Sequence, residues 1–154
     1  MVILMTKPVS LKSKALDYLA RRDYSYRELF QKLLKYTPDQ AEIIAVLDEM
    51  VAKKFLNEER YIENFIHSKS HKYGSRKINY LLQEKCQDRE LIAQIYRAQE
   101  IDELAVARQI RERRFGEELP TTPAEKNRQF RFLLNRGFSP EIISKLLNER
   151  SYDQ

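Results

Sequence analysis

With 154 residues the chain has room for one domain or a few small modules, and little is left over for a deep catalytic cleft. Charged residues make up 33% of it and glycines number only three, a balance that favours helix over sheet, because helix interiors penalise Gly and reward unbranched side chains. The 28 basic and 23 acidic residues leave a formal net charge of +5, compatible with an anionic partner without requiring one; the single cysteine, Cys86, excludes an internal disulfide and a thiolate-bound zinc site.

Met1 to Ser10 reads as a disordered tail, with an apolar start too short for a signal-peptide core. No apolar run approaches the roughly 20 residues that cross a bilayer, so no membrane is expected and a reducing cytoplasm fits. Leu11, Ala15, Leu16 and Leu19 then open the three-and-four spacing of an amphipathic helix, near 11–22. Ser25 with Glu28 has the form of a capping box for a helix near 26–35, and Thr37 with Gln40 repeats it, with Pro38 in the first turn, for 38–53. A helix near 58–72 ends at Gly74, which can take the left-handed conformation. Helices near 75–85, 88–98 and 102–115 follow. Thr122, Glu125 and Pro123 open 123–136, Gly137 closes it, and Pro140 opens 140–150. Sustained alternation is nowhere present, so the fold class is all-α, with about nine short helices.

These helices contain a faint repeat. The run Arg27, Glu28, Leu29 through Leu33 to Ile43 and Val46 resembles Arg76, Lys77, Ile78 through Leu82 to Ile92 and Ile95, and a third copy runs from Phe132, Leu133 through Gly137 to Ile142 and Ile143. The period is close to fifty residues and each unit holds three helices. After the tail at 1–10, the expected units are 11–56, 57–100 and 101–154. Units this small bury little surface alone, so they are expected to stack as tandem repeats into an elongated, curved array.

Catalytic apparatus is not apparent. Gly74, Gly116 and Gly137 stand too far apart for a phosphate-cradling loop, and no strand is expected to carry a nucleophile elbow. His67 and His71 share a helical face with Glu63, but Ser68 stands where a metalloprotease has its glutamate, and Lys69 and Lys72 would repel a cation. Cys86 beside Lys85 fits a small residue at a helix end better than a nucleophile. No enzyme, cofactor or metal is expected.

Positive charge, by contrast, clusters. Lys69, Lys72, Arg76 and Lys77 straddle Gly74 together with His71; Arg111, Arg113 and Arg114 close the seventh helix; Arg128, Arg131 and Arg136 follow with Lys126 and no acid between. Phosphate backbones or an acidic protein groove suit such patches. Tyr73, Tyr80, Phe130 and Phe132 are interspersed, and exposed rings can stack on bases, although rings at helical spacing are more often core. Three-helix units with tight turns also fit a stand-alone helix-turn-helix DNA-binding regulator, for which Arg27, Arg76 and Asn79 are candidate base readers.

Several runs are more specific. Ala15, Leu16, Tyr18, Leu19, Arg21, then Ser25, Arg27, Glu28, Leu29, Lys32 and Leu33, together with Phe55 to Tyr61, resemble the opening repeat of the RecX family. Tyr73, Gly74, Ile78, Leu82 and Lys85 resemble its middle repeat, and Arg131 to Ser139 its last, with Phe115, Gly116, Glu117, Leu119 and Pro120 similar to the linker of proteobacterial members. The resemblance spans residues 11 to 150 in order. Cys86 departs from it, standing where the family usually has glycine, which puts the turn after the fifth helix in question. The resemblance implies three tandem three-helix repeats and a negative regulator of the RecA recombinase. Such a protein binds the RecA filament on single-stranded DNA and inhibits assembly, ATP hydrolysis, strand exchange and coprotease action, which damps the SOS response. It acts by capping filament ends or by destabilising the interior. The partners expected are the RecA filament and single-stranded or duplex DNA, met by a monomer through Lys69, Lys72, Arg76, Lys77, Arg111, Arg113, Arg114, Arg128, Arg131 and Arg136.

Overall fold

The computed structural model describes residues 10–148; most of the expected tail and the last residues lie outside that range. Among the described residues there are nine helices and no strand: α1 (Leu11–Arg21), α2 (Tyr26–Leu33), α3 (Gln40–Ala52), α4 (Glu58–Lys69), α5 (Ser75–Gln83), α6 (Arg89–Ala98), α7 (Glu103–Phe115), α8 (Pro123–Asn135) and α9 (Pro140–Leu147). None is long and apolar enough to cross a membrane. They form three tandem three-helix repeats, α1–α3, α4–α6 and α7–α9, whose second helices begin at Tyr26, Ser75 and Pro123, about fifty residues apart.

Two compact units divide within α4, at Tyr61 and Ile62. In the first, Leu11 and Ala15 of α1, Leu29 and Leu33 of α2, and Ile43, Leu47 and Met50 of α3 close a core with Tyr24 and Leu56. Each helix contributes residues three or four apart, because that spacing keeps them on one face. The second unit holds the rest of α4 with α5 to α9. Ile62, Ile66, Ile78, Leu82, Ile92 and Ile95 are buried in the middle repeat. Ala107, Ile110, Leu133, Phe138, Ile143, Leu146 and Leu147 form the core of the last.

Side-chain caps set the starts. Ser25 accepts from the Glu28 N–H while Glu28 accepts from the Ser25 N–H, the reciprocal box expected. Thr122 accepts from the Glu125 N–H with Pro123 following, half of the box expected; the Glu125 carboxylate turns instead to Gln129 and Arg128. The start of α3 differs: Asp39, not Thr37, is the cap, and its carboxylate accepts from the N–H groups of Ala41 and Glu42. Thr37 instead accepts from the Asp39 N–H, holding the capping residue in place, because a carboxylate is the stronger acceptor for first-turn amides.

Two of the caps come from the following repeat. The Glu58 carboxylate, in the first turn of α4, accepts from the Tyr26 N–H that opens α2 at 2.9 Å. Glu103, in the first turn of α7, does the same for the Ser75 N–H that opens α5 at 2.7 Å. Those amides would otherwise be orphans of the helix start.

The glycines divide. Gly137 has φ of +97° after the end of α8, the left-handed region expected for it. Gly74 does not end α4 in that way: it is the residue before α5, with extended backbone at φ −81°. Its small size is used in a close approach, since a Cβ there would stand 2.5 Å from the Gly137 carbonyl carbon. Cys86 is buried and is not among the described residues with positive φ; the turn after α5 avoids the left-handed conformation at that position. Lys54 and Glu100, which follow the third helices of the first two repeats, take it instead, at φ 64° and 50°.

Candidate functional site

All ten of the expected cations fall in the second unit. The structure brings Lys72, Arg113, Arg114 and Arg136 together, with His71, around one cleft of about 190 Å³ walled by Phe132 and Ile110. Lys72 sits in the turn after α4, Arg113 and Arg114 in the last turn of α7, and Arg136 at the end of α8. Cations in a last turn complement the negative end of the helix.

Aromatic rings flank two of these guanidiniums. Arg114 lies 5.6 Å and Arg136 5.1 Å from the centre of the Phe132 ring, and Phe115 meets the same ring edge-on at 5.2 Å. Arg136 also lies 5.9 Å from the Tyr73 ring and donates to the Lys72 carbonyl at 3.4 Å. Phe132 is thus occupied as a guanidinium rest. Of the four rings considered for base stacking, Tyr80 is the exposed one, at 62%; Tyr73, Phe130 and Phe132 are half-buried. No carboxylate pairs with Lys72, Arg113, Arg114 or Arg136 among the described residues. Converging positive charges without an acid repel one another, and an anion entering between them relieves that repulsion.

The remaining cations are dispersed. Lys69 lies 5.9 Å from the Phe65 ring and Lys77 the same distance from Tyr80. Arg128 pairs with Glu125 at 3.5 Å and lies over Phe115, while Arg131 is exposed on α8. Arg76, at the start of α5, borders a different recess together with Arg97, which the sequence reading did not single out.

Arg111 does not belong to a surface patch. It is 1% exposed, and its guanidinium donates to the carbonyls of Glu117 and Glu118 at 3.1 and 3.2 Å and to the Gln129 amide oxygen at 3.4 Å. Gln129, itself buried, donates to Glu125 at 3.2 Å. The reason lies in the repeat. Buried pairs four apart are Leu11 and Ala15 in α1, Ile62 and Ile66 in α4, Leu29 and Leu33 in α2, and Ile78 and Leu82 in α5. In the last repeat the same spacing is filled by Ala107 and Arg111 in α7 and by Gln129 and Leu133 in α8. Arg111 and Gln129 occupy core positions and meet there.

Comparison with known proteins follows the same architecture. Residues 12–50 match the model described as RecX, first three-helix domain, and residues 100–147 the model described as RecX, third three-helix domain. The chain is 39% identical to the regulatory protein RecX of Leptothrix cholodnii, covering 90% of this chain and 88% of that one. The chain belongs to the RecX family. A second RecX protein, from Chromobacterium violaceum, is 36% identical over 90% of this chain and 89% of its own. The regulatory protein RecX of Pseudomonas entomophila is 36% identical across 99% of this chain and 100% of its own. The crystal structure of RecX from Lactobacillus salivarius superposes with a TM-score of 0.77 at 18% identity, covering 89% of this chain and 92% of that one, which extends the shared fold to a distant sequence.

Proposed function

We propose that the protein is a negative regulator of the RecA recombinase: a cytoplasmic monomer that binds the RecA filament on single-stranded DNA and inhibits its assembly, ATP hydrolysis, strand exchange and coprotease activity. The reading rests on near full-length similarity to proteins named regulatory protein RecX. The observation that supports an anionic filament as partner is the cleft where Lys72, Arg113, Arg114 and Arg136 converge without a carboxylate. Lys69, Lys77, Arg128 and Arg131, and Arg76 beyond them, extend the positive field and steer encounter. Three repeats along one chain supply many moderate contacts, each raising the effective concentration of the next.

The test is ATP hydrolysis by RecA on single-stranded DNA, with this protein added well below the RecA concentration. Strong inhibition at that ratio supports the regulatory role and favours capping of filament ends over stoichiometric masking. No inhibition at parity overturns the reading. Tight binding to bare duplex with sequence preference, and none to the filament, would replace it with a helix-turn-helix DNA-binding regulator.

A further inference from the structure

A second recess, between α5 and α6, differs in chemistry from the cationic cleft. Its volume is about 220 Å³. Half-buried Ala93 and Tyr96 give it an apolar lining backed by the fully buried Ile78 and Ile92, while Arg76 and Arg97 are exposed at its border. Neither arginine side chain has a hydrogen bond or ion pair among the described residues. Tyr96 also lines the recess, half-buried, with its hydroxyl turned inside toward the Glu103 carboxylate.

We infer that this recess is a socket for one bulky apolar side chain from an acidic segment of a partner protein, with Arg76 and Arg97 taking the carboxylates beside it. Size decides against a small-molecule site, because such pockets run to roughly 300–1,000 Å³, whereas a recess of this volume holds a single large side chain in the manner of an interface anchor. The lining decides against a base. Stacking needs an exposed ring face, and Tyr96, the one ring of the lining, is half-buried. Charge decides the character of the partner. No acid is among the residues that line the recess; Glu103, whose carboxylate accepts from the Ser75 N–H, approaches Tyr96 and, after burial, is a cause that pushes its pKa up. Against it stand two uncompensated guanidiniums whose planar forks match carboxylates. The inference goes beyond the filament reading and stands whether or not RecA is the partner.

The test uses the full chain, labelled with ¹⁵N, titrated with a synthetic peptide of about 12 residues rich in Asp and Glu around one central Phe. Matched peptides carry Ala for Phe, or Lys for the acids. Saturable amide shifts confined to 75–79 and 92–97 are expected from the acidic Phe peptide, with affinity at least about tenfold weaker for the Ala version and none for the Lys version. Ala93→Leu separates binding from folding: it fills the recess from its half-buried wall, so it should leave the urea midpoint unchanged or higher, yet block the peptide. Arg97→Glu should abolish the shifts with helicity intact. Absence of shifts in those segments at millimolar peptide, or equal shifts from the Ala peptide, overturns the proposal. So do stronger shifts there from oligothymidine, which would assign the recess to nucleic acid.

Discussion

The backbones of Gly74 and Gly137 touch: the Gly74 N–H donates to the Arg136 carbonyl at 2.8 Å, and the Gly137 carbonyl accepts from the Arg76 N–H at 3.1 Å. The start of α5 is thereby fastened to the turn between α8 and α9, so the middle and last repeats share a backbone joint. Arg136, which faces the cationic cleft, hangs from that joint.

Substitution at the joint should therefore cost more than at an open glycine. Gly74→Ala places a Cβ against the Gly137 backbone, and Gly137→Ala adds a left-handed strain to an overlap with the Lys77 Cβ. Each should lose about 2–4 kcal/mol of stability, read from urea unfolding midpoints. Gly116→Ala is the control: φ is +88° with nothing within 4 Å, so only conformational strain of about 1–3 kcal/mol applies. Equal midpoints for all three would remove the joint from the account of stability.

A double-mutant cycle isolates the polar pair in the last repeat's core. Arg111→Met strands the Glu117 and Glu118 carbonyls and the Gln129 amide, and should cost about 1–3 kcal/mol. Gln129→Leu alone leaves the guanidinium short of one acceptor. The pair Arg111→Met with Gln129→Leu restores the apolar pattern of the other repeats, and its loss should fall well below the sum of the singles. Strict additivity would show that the two residues do not act together.

Glu49 gives the pH prediction. Hydrogen bonds from Lys12 and then Lys53 hold its carboxyl at about 2, against a usual 4.5. The folded form thus binds this proton less readily than the unfolded chain. The contribution is complete above about pH 4.5 and is lost as pH falls toward about 2. Carboxyl NMR should report the low titration in the folded protein, and Lys12→Met should move it upward. The side chains are exposed, so added salt should shrink the difference.

Charge reversal tests the cleft. Arg113→Glu with Arg114→Glu should weaken binding to the RecA filament by at least about tenfold at low salt, and less at high salt, with circular dichroism unchanged. Reversal of Arg128 and Arg131 should weaken it in the same sense. Unaltered inhibition by both variants at moderate salt would sink the assignment of these cations to filament binding.

Much of the fold was legible because its determinants are local. Helical periodicity and caps such as Ser25 with Glu28 sit within one or two turns, so the nine helices follow to within a few residues. The start of α3 differed because Thr37 and Asp39 both offer oxygens, and only geometry decides which one caps. Gly74 was misread because its constraint comes from Gly137, far along the chain. Arg111 was misread beside Arg113 and Arg114 because three arginines look alike in a run. The i, i+4 relation to Ala107, set against Ile62 and Ile66, was the signal that placed it inside. Arg97 lay outside any charge cluster, and only the packing of α5 on α6 gives it a neighbour in Arg76.

The carboxylates of Glu58 and Glu103 are each synthesised after the helix that they cap. As the chain leaves the ribosome, the Tyr26 amide has only water to meet it until Glu58 emerges, and the Ser75 amide until Glu103 does. Each of the first two repeats thus takes one helix cap from the opening turn of its successor, and a fragment cut at the repeat border lacks that acid. The third helix of this kind makes no such demand: α8 begins with Pro123, which has no N–H to satisfy. The dependence passes from repeat to repeat in the direction of translation and stops at a proline.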